Sequence, residues 1–223
     1  MDIAVAGAHG QIARRLVRLL AERGDVVRGL IRNPAHAVDV RADGGQPAVC
    51  DLERSTVEEV ALTIEGADAV VFAAGAGPGS GAERKATMDR DGALLLLGAA
   101  IAARVPEYVM ISAMGTEEPP AGDDVFSVYL RAKADADRAL MESDRRWTIV
   151  RPGGLTDEPG TGRVALARHL PRGEVPREDV AAVVAAILHD HRTAGRIFTL
   201  TAGDQPIPDA LDVAITADPR DDG

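Results

Sequence analysis

An apolar run at residues 3–6 breaks into a glycine turn, Gly7-Ala-His-Gly10, and the chain continues through Gln11 with apolar residues at Ile12, Leu16, Leu19 and Leu20. The first run is short and unbroken, which predicts a strand buried on both faces. The second carries one apolar stripe at helical spacing. Gly7 permits a turn that a β-carbon would obstruct, Gly10 lets backbone approach a ligand, and Ala13 lets the helix lie close to the strand. Free N–H groups at the helix start face that corner, so it is predicted to cradle a pyrophosphate.

The same alternation runs on down the chain. Strands are predicted at 26–31, 48–50, 69–73, 108–112, 147–150 and 196–200, and helices at 11–22, 56–64, 85–104, 128–143 and 177–188. Strands apolar almost throughout, each followed by a helix, predict an α/β fold of the doubly wound Rossmann type, its mainly parallel sheet covered by helices on both faces. A single domain is expected over 1–216. Segment 155–176, rich in glycine, proline and charge, is expected as a small substrate lobe outside the core, and 217–223 as a disordered tail.

Composition narrows the functions. With 25 basic against 35 acidic residues the net charge is −10, which argues against a nucleic-acid groove. The single cysteine, Cys50, excludes an internal disulfide and reads as a packed thiol. With no targeting segment and no run long enough to span a bilayer, the expectation is a cytoplasmic protein without membrane partners. His189 and His191 point in different directions at a helix end, so no metal is expected. The apolar helix 85–104 could pack a second subunit as readily as the sheet, which leaves a homodimer open.

In a doubly wound fold, ligands lie outside the carboxyl ends of the strands. The residues there are Arg32 after the second strand, Asp51 and Leu52 after the third, Ala73-Ala74-Gly75 after the fourth, Ser112 at the end of the fifth and Pro152 after the sixth. An acidic residue after the second strand would bind the ribose hydroxyls of NAD. Arg32 fits the 2′-phosphate of NADP instead, with Arg14 or Arg15 assisting. The cofactor set is therefore Gly7, His9, Gly10, Gln11, Ile12, Arg32, Asp51, Leu52, Ala73, Ala74 and Gly75, although Asp51 is equally placed to cap the next helix.

Tyr129 and Lys133 stand four residues apart and share a helix face. A lysine charge beside a phenol would lower its pKa and ready it for proton transfer, while Ser112 holds the substrate oxygen. Lysine occurs only at 85 and 133 among the 25 basic residues, so its use at 133 reads as a choice of ammonium over guanidinium.

These residues resemble the short-chain dehydrogenase/reductase superfamily, and within it the atypical, epimerase-like NAD(P)H-binding branch. The resemblance covers nearly the whole chain: Gly7-x-x-Gly10-x-x-Ala13, the run ending in Gly75, Asp89-x-x-Gly92, Met110-Ile-Ser112, Tyr129-x-x-x-Lys133 and Thr148 to Gly153. It implies Tyr129 as catalytic acid/base and Lys133 as its partner, also binding the nicotinamide ribose. It further implies Ser112 as substrate-orienting hydroxyl, Asp89 where asparagine is frequent, and Pro152 beside the nicotinamide. The function expected is an NADP-dependent oxidoreductase or epimerase acting on a small carbonyl or hydroxyl compound. The alternatives are a non-catalytic NADP(H) sensor and a flavin or quinone reductase.

Overall fold

The computed structural model describes residues 1–77 and 79–217. In chain order the elements are β1 (Asp2–Ala6), α1 (Gln11–Glu22), β2 (Val26–Ile31), α2 (Ala37–Ala42), β3 (Gln46–Val49), α3 (Val57–Ile64), β4 (Ala69–Phe72) and α4 (Ala82–Arg84). A π-helical stretch, Lys85–Gly92, leads into α5 (Ala93–Ala102), β5 (Glu107–Ile111), α6 (Val125–Met141), β6 (Arg146–Pro152) and β7 (Gly154–Thr156). The chain continues through β8 (Arg163–Ala167), β9 (Glu174–Pro176), α7 (Arg177–Leu188), β10 (Arg196–Ala202), β11 (Gln205–Pro206) and α8 (Ile207–Ala217).

One sheet runs in the order β11-β8-β10-β6-β5-β4-β1-β2-β3. Neighbours from β3 across to β10 pair in parallel, with β1 set between β2 and β4. Winding changes direction at β1, so the crevice between β1 and β4 is the switch point where this architecture binds ligands. This is the Rossmann-type doubly wound sheet the periodicity predicts.

Each face is closed by one helical layer. Leu16 and Leu20 of α1, Val180 and Val184 of α7 and Leu211 of α8 pack with Ile3, Val5 and Val71 on one side. Val60 and Ile64 of α3, Leu96 of α5 and Leu140 of α6 pack with Val70, Phe72 and Tyr108 on the other. Each large apolar side chain so buried contributes about 1.5–3 kcal/mol. Local chemistry sets several helix starts. Thr56 and Glu59 form a capping box on α3, and Asp124 accepts from the amides of Phe126 and Ser127 at the start of α6. No helix among the described residues is long and apolar enough to cross a membrane.

Three expectations change. Segment 155–176 is not a lobe outside the core: β8 joins the main sheet antiparallel to β10, β7 pairs with β9, and Val164, Leu166 and Val175 lie in the core. The helix predicted at 85–104 begins as the π-helical stretch, a rare geometry that concentrates at functional sites. Of the tail, Ala217 ends α8, and 218–223 lie outside the described residues.

Candidate functional site

Two cavities open at the carboxyl ends of the parallel strands. The first, about 260 Å³, is lined by Gly7, His9, Gly10, Arg32, Asp51, Leu52, Ala73, Ala74 and Gly75, together with Leu30, Ile31, His36, Arg84 and Met88. Its floor is backbone. Gly7 has φ +77°, and a β-carbon there would sit 2.6 Å from Ala74 Cα, so no other residue closes this turn without moving β4's exit. Gly10 begins α1 with no side-chain cap and no acidic residue in the first turn, which leaves amides and the positive end of the helix dipole facing the corner. Those features, with the space above them, fit the diphosphate of a dinucleotide.

At the rim of this cavity two guanidiniums meet one carboxylate. Arg32 donates to Glu53 at 2.9 Å, Arg84 donates to the same oxygen at 3.3 Å, and Thr87 donates to the other oxygen at 3.1 Å. Burial favours the neutral acid at Glu53, but hydrogen bonds from Arg84 and Thr87 and the Arg84 charge hold it below the usual carboxylate range. His9 and His36 stack at 3.6 Å between ring centroids, and His9 Nε2 lies 3.0 Å from Asp39.

Several predicted contacts fall elsewhere. Arg14 is held by Asp43 at 2.6 Å and Arg15 by the Gln11 carbonyl at 2.9 Å, and neither lines this cavity. The Gln11 and Ile12 side chains also lie outside it, which leaves only their backbone at the helix start to serve a ligand. Asp51 lines the cavity and accepts from the Glu53 amide at 3.1 Å, while Thr56 caps α3. Cys50 is buried, and burial pushes its thiol up.

The second cavity, about 650 Å³, holds Tyr129, with Met114, Phe126, Leu130 and Pro152 among its walls and Arg172, Arg177 and Glu118 as its charged residues. Tyr129 is partly exposed, with Lys85 Nζ 5.0 Å from its ring centroid. Burial, then the charges of Asp89 and Asp137, hold its phenol above the ordinary value. This reverses the direction expected from a neighbouring lysine, because burial dominates.

Lys133 is buried. Its ammonium donates to the Ile111 carbonyl at 3.1 Å and lies 3.5 Å from Asp89 Oδ1. Burial lowers its pKa, against the opposing pull of the Asp89 and Asp137 charges. Asp89 Oδ2 accepts from the Ala76 amide at 3.3 Å, so the aspartate ties the loop after β4 to Lys133. Lys85 secures the same loop through the Gly77 carbonyl at 2.9 Å. Both lysines of the chain therefore converge on one site, and the scarcity of lysine that singled out Lys133 carries the same signal for Lys85.

Ser112 is also turned inward. It is buried beside Asp137 without a well-formed hydrogen bond and does not line the second cavity, where Ala113 faces instead. Around it lies a buried ionic layer absent from the sequence reading. Arg151 meets Asp137 at 3.0 Å and also pairs with Glu117, while Thr116 donates to Asp137 at 3.0 Å. Removing one partner from such a layer leaves a buried charge uncompensated, so these groups fix the exit of β5 against the end of β6. No histidine, cysteine and carboxylate cluster among the described residues could hold a metal. His189 and His191 pair separately, with Asp25 at 2.9 Å and Glu107 at 2.8 Å.

Comparisons with known proteins agree with this fold. The chain is 38% identical to the uncharacterized sugar epimerase YhfK of Bacillus subtilis over 212 residues, covering 95% of this chain and 99% of the relative. A solved Bacillus halodurans protein assigned to the NAD-dependent epimerase/dehydratases matches with TM-score 0.90 and 33% identity, covering 96% of this chain and 99% of that one. The oxidoreductase ylbE of Lactococcus lactis matches with TM-score 0.86 and 25% identity, covering 97% of each chain. The model of the NAD(P)H-binding family matches residues 7–191, a span holding the glycine corner, Tyr129 and Lys133. The chain belongs to the NAD(P)H-binding family.

Proposed function

We propose that the protein is an NADP(H)-dependent oxidoreductase that reduces a small carbonyl compound, with Tyr129 as the proton donor. The observation that carries this reading is the placement of a phenol in the wall of one cavity and an open glycine corner in the other, both at the carboxyl ends of the same sheet. When bound, the cofactor supplies the hydride. The chain's own groups do the rest.

Backbone around Gly7, Gly10 and Ala73 to Gly75 would hold the diphosphate, and Leu30, Leu52 and Met88 offer apolar surface to the adenine. Arg32 and Arg84 support the preference for NADP. Two guanidiniums converge here, and a 2′-phosphate would compete with the Glu53 carboxylate for their donors. A phenol held above its ordinary pKa is fully protonated at neutral pH, which suits donation to a developing alkoxide rather than abstraction from an alcohol. Asp89 and Lys133 fix the loop and helix around it.

A titration of NADPH and NADH against the wild type and the Arg84→Ala variant tests the cofactor side. NADPH is expected to bind more tightly than NADH, and losing one charged hydrogen-bond donor should weaken NADPH by about tenfold while leaving NADH nearly unchanged. Equal loss for both nucleotides, or preference for NADH, refutes the assignment.

A further inference from the structure

Glu117, Glu118, Asp123, Asp124 and Glu158 crowd the loops near the second cavity, and by count alone they favour a cationic substrate. The structure keeps all but one of these carboxylates out of the cavity lining. Glu117 pairs with Arg151, Asp124 caps α6, and Asp123 faces Arg131 at 3.7 Å. Glu158 does not line the cavity, so Glu118 is the one of the five that does.

Two guanidiniums line it as well. Arg172 is exposed and makes no hydrogen bond or ion pair with the described residues. Arg177 holds Asp157 at 3.0 Å, but that carboxylate is 65% exposed, and a surface pair of this kind is worth about 0–1 kcal/mol and is readily exchanged. One carboxylate against two guanidiniums leaves the lining net positive in a chain whose net charge is −10.

Between the charged groups the walls are apolar. Met114 and Leu130 face the cavity, and Phe126 and Leu155 stand at 59% and 39% exposure, large apolar side chains left in water that a ligand would cover. A volume of about 650 Å³ accommodates a body of drug-like size.

We propose that this cavity takes an amphipathic anion, its apolar body against Phe126, Leu130 and Leu155 and its carboxylate or phosphate ester on Arg172 and Arg177. The inference rests on the reading of this cavity as the substrate chamber. A guanidinium fork matches both oxyanions bidentately, whereas a cationic or neutral body of the same size leaves Arg172 without a partner.

Calorimetric titration of the full-length protein saturated with NADP⁺ tests it, using octyl phosphate and octanoate against octan-1-ol, octyltrimethylammonium and inorganic phosphate. At least one of the two anionic amphiphiles should bind about tenfold more tightly than the other three probes, and which one does so distinguishes phosphate from carboxylate. Arg172→Gln should remove most of that advantage, with Arg172→Lys retaining part of it and NADPH affinity unchanged in both. Equal binding of the alcohol or the cation, equal binding of bare phosphate, or indifference to Arg172→Gln overturns the proposal. Failure of the wild type to bind NADPH would remove the cofactor reading instead, and the same titration on the bare protein would still decide this one.

Discussion

The glycine corner and the Tyr129 cavity sit at the ends of the same strands and are built from different material. The corner is backbone: Gly7, Gly10, Ala73, Ala74 and Gly75 leave main chain as its surface, and a β-carbon at Gly7 would collide with Ala74 at 2.6 Å. The cavity has glycines in its wall too, but large side chains give it its chemistry. Met114 and Phe126 come from the loop after β5 and the start of α6, and Leu155 and Arg172 from the segment between β6 and α7. A backbone site tolerates almost no change, because altering it moves the sheet; a loop-borne site can change its chemistry while the scaffold stays fixed.

That contrast can be broken at its sharpest point by Tyr129→Phe. Once a carbonyl substrate is in hand, turnover should fall by about 10²–10⁴-fold, the usual contribution of a positioned acid, with NADPH affinity unchanged. Retained turnover would mean that hydride passes to an acceptor needing no protein acid, as in a flavin or quinone reductase.

The corner side is sharpened by Gly7→Val. A β-branched residue forced to positive φ against Ala74 should cost about 2–3 kcal/mol in denaturant unfolding and abolish NADPH binding. Arg172→Gln, in the exposed loop, should leave the unfolding midpoint where it is. Similar losses in both variants would erase the distinction between the two regions.

The smallest effect is on pH. Because burial and the Asp89 and Asp137 charges raise the Tyr129 pKa, the proton needed for reduction is present at neutral pH and lost only in strongly alkaline solution. Rates of the reductive reaction should therefore stay level from about pH 6 to 9, while the oxidative reaction, which needs the phenolate, climbs with pH. A reductive rate that falls through pH 7–8 would contradict the raised phenol.

Much of this was legible in the residues. Runs such as Ile3 to Ala6 and Ala69 to Phe72 are apolar on both faces, and that alone predicts a covered parallel sheet. β8 was hidden. Its core contribution is two alternating residues, Val164 and Leu166, within a stretch of glycine, proline and arginine, and pairing with β10 makes it a strand. Ser112 shows how little separates a site from a core: it lies one residue beyond β5 and turns toward Asp137, which leaves Ala113 in the cavity wall. Glu53 and Arg84 lie 31 residues apart and could not be paired from spacing.

Sequence alone determined the order of the seven parallel strands of the main sheet, the glycine corner and the shared face of Tyr129 and Lys133, because each depends on neighbours a few positions apart. Tertiary structure decided the partners of the charged groups: Lys133 with Asp89, Arg151 with Asp137 and Glu117, Glu53 between Arg32 and Arg84, and Arg172 with none among the described residues. Charges act through space and are costly to bury unpaired, so their pairing, and with it the pKa of the phenol, is fixed only when distant segments come together.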